Sequence, residues 1–295
     1  MDGTGIASRL VRAVRRQSCR LSCRLGRETS LDRPVFVVGC GRSGTTILGN
    51  TLSLHPSVAY LNEYRQLWYD AYPETDVWTD LAVDRGGRVD ISASVSTPER
   101  NKKLIDNFHC EVHAMGRSRL VEKLPINSFR LPFIDAVFDG ALYVHLLRNG
   151  LEVARSIERM AEEGLWYGHK GRKWDLLVDY ANRHDRYREL VELCDSARLK
   201  GLLEWRMAVD ETLTFLATIP EERRLEVRYA ELLDSPVETI RRIEQFTGLS
   251  RDDTVERFAE ANLKRRTSKI EVTSLSETEE RIAGDLMRRL GYLRS

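Results

Sequence analysis

Lysine is scarce in this chain: of its 46 basic residues only 8 are lysines and 38 are arginines. Anion recognition therefore falls mostly to the planar, bidentate guanidinium group, although a GC-rich genome produces the same bias. A surplus of either charge is also missing. The 46 Lys and Arg stand against 45 Asp and Glu, a net charge of +1, so no global field draws the chain to nucleic acid and any anion site must be local. No apolar run approaches the ~18 residues of a membrane span. The five cysteines, Cys19, Cys23, Cys40, Cys110 and Cys194, are odd in number and contain no C-x-x-C pair. Neither a zinc site nor a secreted disulfide framework is indicated, and a reducing cytosol fits best. Internal repeats and low-complexity tracts are absent, and residues 1–33 contain no apolar segment of the kind a signal peptide needs.

What remains is ordinary globular material, 295 residues with 42% hydrophobic and 31% charged side chains, enough for one large domain with additions. The first 33 residues form a separate basic extension. Residues 6–26 can be drawn as an amphipathic helix, with Ile6, Leu10 and Val14 on one side, continued by Leu21 and Leu25. Arg9, Arg12, Arg16, Arg20 and Arg24 stripe another side. A poorly ordered basic tail is the expectation; docking on a membrane surface or a partner through residues 9–27 is the alternative.

From Pro34 the pattern alternates between strand and helix. Strands are expected at Val35–Val38, Val58–Leu61, Leu120–Lys123, Leu142–Leu147 and Leu225–Arg228. Helices are expected at Thr45–Leu54, Ser128–Phe138, Leu151–Glu163, Trp174–Ala197, Gly201–Thr218, Val237–Phe246 and Glu277–Leu290. Residues 70–119 read as the least regular part, with Glu74–Pro98 a loop. Strands joined by helices of this length imply right-handed crossovers. The expected fold is α/β, a P-loop-type three-layer arrangement whose central parallel sheet is flanked by helices, over residues 34–295.

The stretch VFVVGCGRSGTT, Val35 to Thr46, runs from strand through glycine-rich turn to helix start. Such a turn aims backbone N–H groups and a positive dipole end at an anion. Gly39, Gly41 and Gly44 allow close approach, Arg42 brings a cation, and Thr45 and Thr46 add hydroxyls. A nucleoside-triphosphate loop reads G-x-x-x-x-G-K-[S/T], and here Thr45 stands in place of the lysine that reaches β- and γ-phosphates. The loop suits a shorter anion, such as the phosphate of a nucleoside monophosphate derivative.

GRSGTT after an apolar strand resembles the 5′-phosphosulfate loop of the PAPS-dependent sulfotransferases, usually written P-[K/R]-S-G-T-T, with Gly41 where proline is common. LYVHLLRNGLEVARS resembles that family's 3′-phosphate motif, with Arg148 ending a strand and Ser156 on the next helix. The resemblance covers roughly residues 34–293. It implies that Gly41, Arg42, Ser43, Gly44, Thr45 and Thr46 hold the 5′-phosphosulfate of PAPS (3′-phosphoadenosine-5′-phosphosulfate), and that Arg148 and Ser156 hold its 3′-phosphate. VEKLP resembles the E-K-T-P segment, so Lys123 would meet the transferring sulfuryl group together with Arg42. LEVRYAELLDSP resembles the Y-E-D-L segment near the adenosine; Ala230 replaces its glutamate, and Tyr229 alone carries over. LKRRTSK resembles the late basic segment over the cofactor, with Ser268 and Lys269 the matching residues.

An acceptor hydroxyl needs a base within hydrogen-bond reach. The histidine of the cytosolic small-molecule pattern K-T-H-L-P is absent, since Pro125 follows Leu124. Carbohydrate and tyrosyl-protein sulfotransferases use a glutamate some two dozen residues beyond the basic loop residue, and Glu63 lies 21 positions after Arg42. The resemblance therefore points to a bacterial member of that branch, with Glu63, Lys123 and Arg42 as catalytic residues and no required metal. The acceptor would be a small molecule, glycan or glycolipid, met in the cytoplasm or at the inner membrane surface. A nucleotide kinase and a non-catalytic nucleotide-binding module are the alternatives. His109 and His113 share a helical face without a third ligand. Trp68, Tyr69, Trp166, Tyr167 and Trp174 are core aromatics or a sugar-stacking surface.

Overall fold

The computed structural model describes residues 3–26, 28–264 and 275–293. Strand β1 is Val35–Val38, and its four side chains are at most 1% exposed, as an apolar run covered on both faces requires. With β2 (Val58–Asn62), β3 (Arg119–Lys123), β4 (Leu142–Leu147) and β5 (Arg224–Arg228) it forms one sheet in the order β2-β3-β1-β4-β5. Every neighbouring pair is parallel. Side-chain alternation sorts two cores: Phe36, Val38, Leu61 and Tyr143 join one face, while Val35, Val37, Val144 and Leu146 join the other.

Fourteen helices are described. In chain order they are α1 (Gly3–Arg24), α2 (Thr45–Leu52), α3 (Arg65–Ala71), α4 (Pro98–Ala114), α5 (Leu131–Val137), α6 (Gly150–Glu162) and α7 (Arg172–Asn182). There follow α8 (Asp185–Arg188), α9 (Ala197–Leu216), α10 (Tyr229–Asp234), α11 (Pro236–Thr247), α12 (Asp253–Asn262), α13 (Glu277–Glu279) and α14 (Asp285–Arg289), the last two joined by a π turn at Glu280–Gly284. The chain passes from β1 out to β2, returns to β3 beside β1, then crosses to β4 on the other side. Winding therefore changes direction at β1, and the crevice that this opens lies above the carboxyl ends of the central strands.

The α/β architecture and all five strands match expectation; several helices differ. The stretch 70–119 contains α4, which starts where Thr97 Oγ1 accepts from the Arg100 N–H and Pro98 fills the first turn. The single helix expected over Trp174–Ala197 is broken into α7 and α8, and α9 begins early because Ser196 Oγ accepts from the Leu199 N–H. Ser128–Phe138 begins as a 3₁₀ turn over Pro125–Phe129 before α5.

The largest difference is at the N-terminus. The extension is a 22-residue helix lying against α4 rather than a poorly ordered tail. Arg16 Nη2 donates to Oε2 of the buried Glu111 at 2.7 Å, and Arg12 Nη2 donates to the Tyr64 hydroxyl at 3.3 Å. The helix is thus turned with part of its arginine stripe inward. Leu10, Val14, Leu21 and Leu25 point outward, 57–80% exposed.

Candidate active site

The turn between β1 and α2 sits in the crevice above β1. Gly39 takes φ of 140°, and a Cβ there would lie 2.6 Å from the Leu146 carbonyl oxygen. Gly44 takes φ of 98°, and its Cβ would meet the Tyr229 ring at 2.4 Å. Between them Arg42 holds a left-handed φ of 70°, so successive N–H groups curl toward one point. Gly44 is also the N-cap of α2 and supplies no side-chain hydrogen bond, leaving the first-turn N–H groups open to an anion. Ser43 and Thr45 are buried beneath the turn, and Arg42 and Thr46 are exposed above it.

A second basic group adjoins the first. Arg148 follows β4, and Asn149 then starts α6 by accepting from the Leu151 N–H at 2.9 Å. The Arg148 Nε donates to Glu152 at 2.8 Å, its Nη1 donates to the Arg42 carbonyl at 3.1 Å, and its guanidinium lies 4.3 Å from the centre of the Tyr229 ring. Arg42 Nε donates to Ser156 Oγ at 3.0 Å. The structure therefore brings Arg42, Arg148, Ser156 and Tyr229 into one cluster, with the Arg42 side chain turned toward Ser156.

Glu63 and Lys123 meet because β2 and β3 pair in register, Asn62 opposite Lys123. Glu63 then breaks from the strand with φ of 57°, donating its N–H to the Lys123 carbonyl at 2.8 Å. That turn lays its carboxylate over the lysine: Lys123 Nζ to Glu63 Oε1 is 2.6 Å, and Arg65 Nη2 to Oε2 is 2.7 Å. Burial alone would raise the Glu63 pKa, but Lys123 and Arg65 together hold it below the ordinary carboxylate value. Lys123 is 1% exposed and Glu63 about a third, so the pair presents its carboxylate to the crevice.

Residues 34–253 match the model of the sulfotransferase family. The chain belongs to that family. In fold, this sulfotransferase is similar to sulfotransferase STF9 from Mycobacterium avium (TM-score 0.55, 15% identity, 90% of this chain and 78% of that one). It is also similar to sulfotransferase STF1 from Mycobacterium tuberculosis H37Rv (TM-score 0.50, 16% identity, 92% and 81%). An uncharacterized protein from Aquifex aeolicus is 32% identical over 142 residues, 44% of this chain; the match spans only 17% of that relative's length. Family membership sets aside the nucleotide-kinase and non-catalytic readings.

Within the sulfotransferase the departure at Gly41 has a steric cause. A Cβ at Gly41 would come within 2.4 Å of Cη2 of Trp166, so proline does not fit while Trp166 lies over the loop. Trp166 is fixed there by Nε1 donating to Glu204 at 2.9 Å and by Lys173 4.1 Å from its ring centre. Lys173 and Glu204 are themselves buried and 2.6 Å apart. Glu204 sits among the apolar residues Leu202, Leu203 and Trp205, and an acid in such a run was the available signal. Trp68 is 1% exposed and belongs to the core, whereas Tyr167 and Trp174, edge-on to each other at 5.7 Å, are only partly buried against it. Sequence reasoning also missed Glu122, which precedes Lys123 on β3, accepts from Trp68 Nε1 and Asn127 Nδ2 at 3.2 Å each, and is pushed up to about 8 by burial. His109 Nδ1 donates to the Ser30 carbonyl at 3.0 Å and His113 is exposed. Ser268 and Lys269 lie outside the described residues.

Proposed function

We propose that this enzyme moves the sulfuryl group of PAPS to a hydroxyl of a carbohydrate, glycolipid or natural product. The observation that carries the reading is the pair of adjacent anion cradles, the β1–α2 turn and the Arg148–Ser156–Tyr229 cluster, bridged by Arg42. PAPS bears two anionic groups, a 5′-phosphosulfate and a 3′-phosphate, and needs two such sites. The unfilled N–H groups of α2 and the hydroxyls of Ser43, Thr45 and Thr46 fit the former; Arg148 and Ser156 fit the latter, with Tyr229 beside the adenosine.

Bound PAPS supplies the sulfuryl group, and the rest is done by the chain. Lys123 and Arg42 neutralise charge on the moving group and on the departing bridging oxygen. Glu63 takes the acceptor's proton as the new O–S bond forms and the old one breaks. In the free enzyme Lys123 holds Glu63 as a weak base. An anion that draws the lysine away lets the carboxylate rise toward its ordinary range, so the base strengthens when the donor site is filled.

The outer face of α1 supports a place at a membrane surface. No described helix is long and apolar enough to cross a membrane. The outward stripe of Leu10, Val14, Leu21 and Leu25, flanked by the exposed Arg15 and Arg20, suits shallow contact with an anionic bilayer from the cytoplasmic side. Incubation with ³⁵S-labelled PAPS and extract of the host tests the reaction: a labelled organic product supports it, and label confined to donor and inorganic sulfate contradicts it.

A further inference from the structure

The inward face of α1 is a poor hydrophobic surface. Between residues 10 and 25 the side chains turned toward the domain are Arg12, Arg16, Cys19 and Cys23, while the leucines and Val14 point away. Among the described side chains of α1 no large apolar group, the usual cement between helices, is buried in this contact. In its place the two cysteines, one turn apart, converge on Cys110 of α4. All three are buried, their sulfur atoms lie within 4.8 Å of one another, and Cys23 Sγ to Cys110 Sγ is 3.7 Å. The sequence separates Cys23 from Cys110 by 87 positions, and only the packing of α1 on α4 brings them together.

We propose that Cys19, Cys23 and Cys110 form a structural site for a thiophilic d¹⁰ metal ion, Cu(I) or Zn(II), that staples α1 to the sulfotransferase domain. Three thiolates around one ion with metal–sulfur bonds of about 2.3 Å stand about 3.8–4.0 Å apart, close to the spacing already present, so binding asks for little movement. Soft sulfur donors without oxygen or nitrogen select these ions over Mg²⁺ or Ca²⁺. The nearby charges cancel in pairs, Lys102 with Asp106 and Arg16 with Glu111, so the cluster sits in locally neutral surroundings. Metal ions are held by thiolates, so protons carried by the thiols are released as the ion enters. No electron transfer is involved; each sulfur exchanges a proton for the metal. The cluster includes neither Glu63 nor Lys123, and the proposal stands whether or not PAPS is the donor.

The test uses the full-length chain, reduced and stripped with chelator. Anaerobic titration with Cu(I) against a colorimetric chelator, and separately with Zn(II) against an indicator dye, should show one ion per chain with release of protons. The arm with the tighter binding identifies the ion. Cys110→Ser should weaken binding by at least about 10–100-fold. Cys19→Ser, on the outer helix where a folding defect of the domain is not expected, should do the same, whereas Cys194→Ser should leave it unchanged. Bound ion should also slow trypsin cleavage after the arginines of α1. Stoichiometry below one ion per chain, affinity indifferent to both Cys19→Ser and Cys110→Ser, or a Cys23–Cys110 disulfide formed with peroxide as the only response of the cluster would overturn the proposal.

Discussion

Replacing Glu122 by glutamine probes the least expected feature of the site, a carboxyl buried next to Lys123 on β3. Its pKa is raised from 4.5 to about 8, with burial the main cause. Between these values the unfolded chain has lost the proton while the folded chain keeps it. Stability from this group is therefore complete below the unfolded value and is lost as pH rises through the folded one. The slope is about 1.4 kcal/mol per pH unit, so going from pH 6 to 7.5 should remove about 2 kcal/mol. At roughly 2–4 °C per kcal/mol for a large domain, that is a fall of at least about 4 °C in Tm. Glutamine keeps the oxygen that accepts from Trp68. It can donate to Asn127 Oδ1, which is buried without a partner, once the Asn127 amide turns over. The Glu122→Gln protein should thus lack this component of pH dependence. Calorimetric melting of both proteins at several pH values between 6 and 7.5 reads the difference; parallel Tm curves would refute a neutral Glu122 in the folded state.

Three further outcomes are expected. Glu63→Gln should lower turnover by about 10²–10⁴ with 3′,5′-ADP affinity near wild type, and acidic phenol acceptors should rescue it more than they rescue Lys123→Ala; intact turnover would remove Glu63 from the chemistry. Arg148→Ala should weaken 3′,5′-ADP far more than 5′-AMP, with each lost charge-assisted hydrogen bond contributing roughly 1.5–3 kcal/mol, and equal losses in calorimetry would place Arg148 away from the 3′-phosphate. Full-length protein should bind anionic vesicles more strongly than a chain beginning at Leu31, with Leu21→Asp reducing the difference and salt suppressing it; indistinguishable sedimentation with vesicles would deny α1 a membrane role.

Much of the scaffold was legible because local chemistry dictates it. Val35–Val38 can be little other than a central strand, and Gly39 and Gly44 mark the turn because the backbone there takes left-handed angles against Leu146 and Tyr229. Arg148 and Ser156 share one spot because a strand end and two helical turns bring them there. The Glu63–Lys123 contact depended on register between β2 and β3, which spacing along the chain could only suggest. Other features arise from tertiary packing alone. The arginine stripe of α1 reads as solvent-facing until the buried Glu111 of α4 is seen opposite Arg16. The cysteines read as scattered because their convergence needs two helices 87 positions apart in sequence. The start of α4 was visible in Thr97-Pro98, but the irregular residues before it hid the signal. Glu122 looked like part of a motif; its neutral state follows from burial that no pattern displays.

Binding of 3′,5′-ADP to the full-length protein in the presence of a chelator, set against Mg²⁺–ATP in the same calorimeter, tests the pair of anion cradles most directly. The account predicts tight, metal-independent binding of 3′,5′-ADP and much weaker binding of ATP. ATP binding that requires Mg²⁺ and exceeds that of 3′,5′-ADP would contradict it.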